Sequence, residues 1–300
     1  MQSFYQLAKQ IYDMNNPREV RRAVIFCARA WLHRREMQKL DAFFQKDPTL
    51  AQLAEIYPFV YEQPTRAFFY NKSTFDERAR IVEQHMLFLC GKLRADVLFP
   101  LYQRVSVPLW QGIMCMGEQM TAALFFDYGQ RKEGLLSVIL RLGAASLYQI
   151  IFWIVPAEDG ANAMWIGAMQ GPNMENARDV VKAATKACHT YRTKNLVLYI
   201  AQAVARSLGI GRIYAVTNEG YYANNHVRVD RKLKTDFSAF WREAGGTDTA
   251  DARFMELPLI EPRKTMEEVP TRKRAVYRRR FALLDAIDAE VSASVRAVLR

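Results

Sequence analysis

The run from Ala163 to Asn218, AMWIGAMQGPNMENARDVVKAATKACHTYRTKNLVLYIAQAVARSLGIGRIYAVTN, constrains the fold more than any other part of the chain. It reads as strand, helix, second helix, strand. Gln170-Gly171-Pro172 ends the first strand, because proline cannot donate to a ladder and turns the chain. Gly209 can cap the second helix just before a strand from Ile210 to Val216. A strand that feeds a helix and returns as a neighbouring strand is a crossover unit, and ligands bind beyond the C-terminal strand ends of such units. Chemistry is therefore expected around Gln170 and Asn218, in a fold that mixes α and β.

Around this unit the texture of the chain changes twice. Up to about residue 100 the pattern is helical. Val20 to Gln45 has apolar residues near helix period after Pro17, Leu50 to Tyr57 forms a short helix, and Ser73 to Gly91 follows a capping-box pattern of Ser73 with Asp76. From Arg104 the chain breaks into short runs rich in Val, Ile, Phe, Tyr and Trp: Val105–Trp110, Ile113–Met116, Ala122–Tyr128, Leu135–Leu142, Leu147–Val155 and Met164–Met169. Glycines and the Asp159-Gly160 turn separate them, as in an antiparallel meander. Leu135 to Ala157 is long enough to imitate a membrane span, but Arg141, Gln149 and the break at Gly143 divide it into two buried strands of a hairpin. After Asn218 come a polar stretch to Asp236, an aromatic helix from Phe237 to Ala244, a possible edge strand from Phe254 to Leu259, and a closing helix from Arg272 to Leu299. The division expected is a helical region over 1–100 and an α/β core with a basic C-terminal helix over 101–300.

With 50% apolar residues the chain supplies a core easily, so disorder is excluded. The net charge of +11 favours an anionic partner: an acidic carrier protein, coenzyme phosphates or anionic lipid. Ordinary colloidal charge explains the same number. Cys27, Cys90, Cys115 and Cys188 are scattered among apolar neighbours with no CxxC pair, which reads as buried small hydrophobes in a reducing compartment. His33 and His85 lie far apart on helices and read as ordinary helix residues; no metal site is expected. The N-terminus lacks the apolar region of a secretory signal, so the chain is expected to be cytoplasmic, or peripheral at the inner membrane.

Several short motifs recur in a fixed order: Ile166-Gly-Ala-Met-Gln-Gly-Pro172, Ala184-Thr-Lys186, Thr193-Lys194, Leu208-Gly-Ile210 with Ala215-Val-Thr-Asn218. Asp236-Phe237, Phe240-Trp241, Gly245-Gly246, Leu257-Pro258 and Lys273-Arg-Ala275 through Tyr277-Arg-Arg-Arg-Phe281 follow, ending in Leu284-Asp285. As an ordered set these resemble the VirK/YbjX family of Gram-negative bacteria from about Arg21 to the C-terminus. That resemblance implies virulence-associated roles in antimicrobial-peptide resistance and envelope physiology. It supplies no agreed reaction. One departure is visible: His189-Thr-Tyr-Arg-Thr-Lys194 stands where the family often reads Gly-Leu-Arg-Pro-Lys, although Lys194 is retained. The element order also resembles the GNAT-like N-acyltransferase core, in which a splayed gap between the strands flanking the crossover holds pantetheine. Here too the chain departs, with no Gly-rich pyrophosphate loop after Gln170 and an extra helix from Asn173 to Cys188.

The candidate residues follow from that analogy, each beside a plainer reading. Tyr221 or Tyr222 would protonate a leaving thiolate, or else packs a strand end as a loop aromatic. Glu219 would be the base for an attacking amine, or a solvated loop acid. His189 titrates in a useful range, or merely sits at a helix end. Gln170, Gly171 and Asn218 would line the cleft, with Asn218 equally suited to shaping the turn, and Lys194 joins them as a binding residue. Trp241, with Phe237 and Phe240, is core or the lining of an acyl chain. The run Arg272 to Arg280 has no acid inside it, and helical spacing sets Arg274 and Arg278 on one face to hold an anionic carrier, or to be solvated beside Glu267 and Glu268. Basic and aromatic residues interleave there, but no reader motif for nucleic acid accompanies them. The reading is thus an acyltransferase-like protein of α/β (α+β) class using acyl-CoA or acyl-carrier protein as co-substrate, with no covalently bound cofactor. Its alternative is a non-enzymatic accessory factor whose basic helix docks on anionic lipid.

Overall fold

The computed structural model describes residues 3–225 and 235–300. Helices fill the N-terminal third: α1 (Phe4–Ile11), α2 (Pro17–Leu32), α3 (Arg34–Phe44), α4 (Pro48–Ile56), α5 (Phe59–Glu62), α6 (Phe75–Lys92) and α7 (Ala95–Tyr102). The expected single helix from Val20 to Gln45 is two, because His33 leaves helical geometry at φ −106° and ψ 31°. The capping box of α6 is Thr74 with Glu77, one residue later than expected. Ser73 instead donates its hydroxyl to the Phe68 carbonyl at 2.8 Å.

The rest is one mixed sheet with helices against it. The strands are β1 (Val107–Cys115), β2 (Glu118–Phe125), β3 (Leu136–Leu142), β4 (Ala145–Pro156), β5 (Asn162–Gln170), β6 (Arg212–Val216), β7 (Thr247–Asp248) and β8 (Phe254–Leu257). The helices are α8 (Ala177–Ala187), α9 (Thr193–Ser207), α10 (Phe237–Glu243) and α11 (Arg274–Val298). Sheet order is β1-β2-β3-β4-β5-β6-β8-β7, antiparallel except for β5 beside β6. The two runs expected on either side of Gly112 form one strand, β1, whose pairing with β2 is irregular between Gln111 and Met114. The strand expected over Ala122 to Tyr128 runs earlier, as β2. β8 is not the edge strand, since β7 lies outside it.

The segment that imitates a membrane span is the hairpin β3–β4. Gly143 makes its turn at φ +54°, a conformation that costs glycine little. Arg141 leans over the Phe125 ring at 5.0 Å, and buried Gln149 donates to Ser137 Oγ at 2.6 Å. Both polar side chains therefore have partners within a folded sheet. No helix among the described residues is long and apolar enough to cross a membrane.

The crossover from β5 to β6 runs through α8 and α9. Every residue of α9 from Leu196 to Ala205 is buried. Leu196, Ile200 and Val204 share one hydrophobic core with Ile166 of β5 and Ile213 of β6, as the apolar stripe of this helix requires. Gly209 ends α9 at φ +73°, its N–H donating to Arg206 and that of Ile210 to Ala205. The same core continues through the N-terminal helices, where α6 packs on β4. His85 makes that junction. It is fully buried, its Nδ1 accepts the Ile154 N–H at 3.0 Å, and its Nε2 lies 3.2 Å from the Tyr102 hydroxyl. Cys90, Cys115 and Cys188 are buried and Cys27 half-buried.

Candidate functional site

Parallel strands that stay paired leave no room between them; this pair separates. Pairing of β5 with β6 runs from Ala163↔Arg212 to Ile166↔Ala215 and stops. β5 continues to Gln170, still paired with β4 on its other side, from Ala168↔Ile151 to Gln149↔Gln170. Toward β6, no strand among the described residues pairs with Gly167 through Gln170. Backbone groups in that position need other partners or solvent.

Three side chains meet at this splayed end. Glu133, in the turn before β3, accepts the Tyr221 hydroxyl on Oε1 at 2.9 Å and the Gln170 amide on Oε2 at 2.6 Å. Glu133 is buried, and burial pushes its carboxyl above the ordinary range against the opposing effect of Tyr221 and Gln170. The Tyr221 hydroxyl is likewise held well above its usual value, by burial first and by the Glu133 charge second.

Glycines let the parts approach. A side chain on Gly167 would collide with the Glu133 carbonyl oxygen, and one on Gly220 with the Arg253 carbonyl. Gly220 accepts the Asn71 N–H at 2.9 Å, and Tyr221 bridges Tyr70. The loop after β6 is thereby tied to the segment before α6. Tyr222 is buried, edge-on to both Phe68 and Tyr221.

The sequence points to Gln170 and Tyr221, and the structure brings them together through Glu133, which sequence reasoning missed. Its one signal was position: an acid beside Gly134 in the turn that opens a largely apolar strand. The remaining candidates lie elsewhere or carry structural bonds. Gly171 adjoins the Tyr148 ring. Asn218 caps α10, its Oδ1 accepting the Phe237 N–H at 2.8 Å while its amide donates to Asp236. Glu219 is exposed, and its carbonyl accepts from Asn71. Trp241 is fully buried, with Nε1 donating to the Val216 carbonyl at 2.8 Å. Lys194 pairs with Glu243 at 3.1 Å and lies over the Phe240 ring. Beside it, Thr193 is buried and its hydroxyl has no partner among the described residues.

His189 and Thr190 adopt φ of 52° and 61°, so the turn between α8 and α9 is made without the glycine that such angles favour. Arg280 donates to the His189 carbonyl from Nε and Nη2. In the basic helix, Arg274 donates to the Val269 carbonyl at 3.1 Å, whereas Arg278 is exposed. Among the described residues no group of three or more His, Cys, Asp and Glu is placed to hold a metal ion.

With the geometry in place, comparison with known proteins adds kinship. The model of a family described as "Protein of unknown function (DUF535)" matches residues 15–293. The uncharacterized protein YbjX of Escherichia coli is 34% identical over 182 residues, 60% of this chain and 55% of YbjX. This chain thus matches about half the length of that relative. An uncharacterized protein of Haemophilus influenzae is 28% identical over 262 residues, 86% of this chain and 83% of its own. Among solved structures, a cAMP-binding acyltransferase from Mycobacterium smegmatis is similar over 63% of this chain and 57% of its own, at 10% identity and a TM-score of 0.30. A score that low carries no argument about fold or chemistry.

Proposed function

The chain belongs to DUF535, the VirK/YbjX family, and from that premise we propose that it transfers an acyl group from a thioester at the splayed end of its parallel pair. What carries the reading is the end of β5–β6 pairing at Ile166↔Ala215, with Tyr221, Glu133 and Gln170 gathered just beyond it. The backbone of Gly167 to Gln170, left without a strand on its β6 side, suits the amides of a pantetheine arm. An amine of the acceptor attacks the thioester carbonyl; the C–N bond forms and the C–S bond breaks. Tyr221 gives its proton to the departing sulfur. The proton lost by the amine returns to the Tyr221 oxygen through Glu133, whose raised affinity for protons fits that task. Arg278, exposed at the start of α11, and Arg274 beside it would face the anionic part of acyl-CoA or an acyl-carrier protein.

The experiment is donor binding and single-turnover transfer with a panel of acyl-CoA and acyl-carrier-protein donors. Tyr221→Phe should slow transfer by about 10² or more, the usual reach of a proton-transfer group, with donor binding nearly unchanged. If no donor binds the wild type, the reading is wrong.

A second reading rests on a different observation. Arg272, Lys273, Arg278 and Arg279 are exposed, and none forms an ion pair with an acid among the described residues. Such a face suits anionic lipid, and an accessory factor at the inner membrane would use it. Loss of affinity for phosphatidylglycerol vesicles in Arg278→Glu/Arg279→Glu, with no donor bound by any variant, would favour that reading.

A further inference from the structure

The larger of the two cavities described lies at the other end of the parallel pair, and nothing in the acyl-transfer reading uses it. It measures about 750 Å³, within the range of small-molecule sites. Its floor is a consequence of register. Trp153 of β4, Trp165 of β5 and Tyr214 of β6 stand opposite one another across three neighbouring strands. Side chains opposite one another point to the same face, so the rings form a row. Trp165 stacks on Tyr214 at 4.3 Å and lies parallel to Trp153 within 7°. Trp153 is buried, while Trp165 and Tyr214 are half-buried and line the cleft. One wall is α6 and the turn between β4 and β5; the other is the segment from Asp248 to Asp251.

The charge of this lining is opposite to that of the chain. Six carboxylates, Glu77, Glu158, Asp159, Asp248, Asp251 and Glu256, face three guanidiniums, Arg80, Arg212 and Arg253. The whole chain carries +11. Pairing lowers the excess without cancelling it: Asp248 pairs with Arg242, outside the lining, at 3.2 Å. Asp159 and Glu256 share Arg212, at 2.7 and 3.0 Å. Arg253 is taken by Asp251 at 2.7 Å and by the Tyr70 ring. Glu158 has no ion pair among the described residues, and neither does Arg80. Low-dielectric walls focus such a field within a cleft.

We propose that this cleft binds a small organic cation, an amine or guanidinium carried on an apolar or ring-shaped body. Trp165 and Tyr214 line the cavity and supply ring surface for the apolar body, and the net charge of the cavity attracts the cation it carries. The charge ratio argues against an anion, which would meet twice as many carboxylates as guanidiniums. The row of rings argues against a bare inorganic cation, which would require converging oxygens. Arg80 is the one cation of the lining left without an ion pair, and it weakens the site for such a ligand.

The proposal is independent of acyl transfer, and calorimetry on the full chain separates the two. The probes are benzyltrimethylammonium, neutral benzyl alcohol and anionic phenylacetate. The quaternary ammonium should bind saturably, at least roughly tenfold tighter than the alcohol, and phenylacetate should not bind. Trp165→Leu should lower the affinity roughly tenfold, and Glu158→Gln by a few-fold at low salt but less at high salt. Arg80→Gln should tighten binding. Tyr221→Phe should leave it unchanged, whatever that variant does to acyl donors. Circular dichroism of each variant shows whether it is folded, and Glu158→Gln, on an exposed turn residue, remains informative if Trp165→Leu is not. Preference for phenylacetate, undiminished binding by Trp165→Leu and Glu158→Gln, or no binding of the ammonium at millimolar concentration would each overturn the proposal.

Discussion

The two ends of the parallel pair β5–β6 are built on opposite plans. At the N-terminal end the strands stay in register, and their outward side chains, Trp165 and Tyr214, stack to floor an open cleft rimmed by charge. At the C-terminal end pairing stops, and the opening is occupied by a buried acid that two other side chains hold. One end offers volume and aromatic surface. The other offers a proton donor and acceptor with shifted affinities in a confined space. A sheet face lines up a row of side chains through continuous register, whereas a buried polar cluster at a strand end needs register to fail. Interrupted pairing frees backbone groups and lets a loop residue such as Tyr221 reach a neighbour distant in sequence.

The largest expected effect tests whether the closed end depends on the approach at Gly167. A Cβ there would strike backbone, the carbonyl of Glu133, which cannot swing aside as a side chain can. Gly167→Ala should destabilise the protein by about 3 kcal/mol, the upper end of overpacking costs, and should disturb Glu133 first. Chemical denaturation measures it. A neutral result would mean that the turn carrying Glu133 does not lie on β5 as described.

The two ends should also respond to pH with opposite sign. His85 anchors α6, a wall of the open cleft, and burial lowers its pKa from 6.5 to about 3. Between those values the unfolded chain binds a proton that the folded chain does not, so stability falls as pH falls, by about 1.4 kcal/mol per unit. His85→Gln should remove that slope below pH 6.5, as read from denaturation midpoints at successive pH values.

At the closed end Glu133 behaves inversely. Its folded pKa lies above the ordinary value of 4.5, so the folded state holds the proton longer and stability falls as pH rises through that window. Burial is the cause, and hydrogen bonds from Tyr221 and Gln170 to the carboxylate oppose it, which narrows the window. The difference in stability between wild type and Glu133→Gln should therefore move toward the variant as pH rises above 4.5. A difference that stays level across pH 4 to 8 would show that Glu133 is not desolvated.

Much of the fold was legible because it rests on local pattern. The stripe of α9, the Gly209 cap, the Asp159-Gly160 turn and the charged breaks in the Leu135–Ala157 run each follow from spacing and backbone preference. The break at His33 was not, since the apolar period continues across it and the ring stacks on Phe75, 42 residues away in sequence, at 4.3 Å. Of the closed site, Gln170 followed from the crossover rule, and Tyr221 from its place after the last crossover strand together with the acyltransferase analogy. Glu133 could not, because its partners lie at sequence separations of 37 and 88 residues. The open cleft was invisible for a related reason. Trp153, Trp165 and Tyr214 look like ordinary strand aromatics until register lines them up. Asn218 and Trp241 were readable as aromatic or turn signals, but which bonds they make depends on how α10 folds back on β6.

The smallest effect separates structural from chemical roles at the closed end. Tyr221→Phe removes one hydroxyl and leaves the ring against Tyr222 and Phe237. Its hydrogen bond to Glu133 is to a buried acceptor, but Gln170 still donates to the same carboxyl. The stability cost should then be about 1 kcal/mol, an ordinary net hydrogen bond. Glu133 should become easier to protonate, because one donor that favours its ionised form is gone. The pH window of the Glu133 slope should accordingly move upward in this variant while the His85 slope stays where it was. Denaturation curves for wild type and variant across pH 4 to 8 read both at once. A loss of several kcal/mol, or a shift in both slopes together, would show that Tyr221 holds up the whole sheet end, and the contrast between the closed end and the open one would not stand.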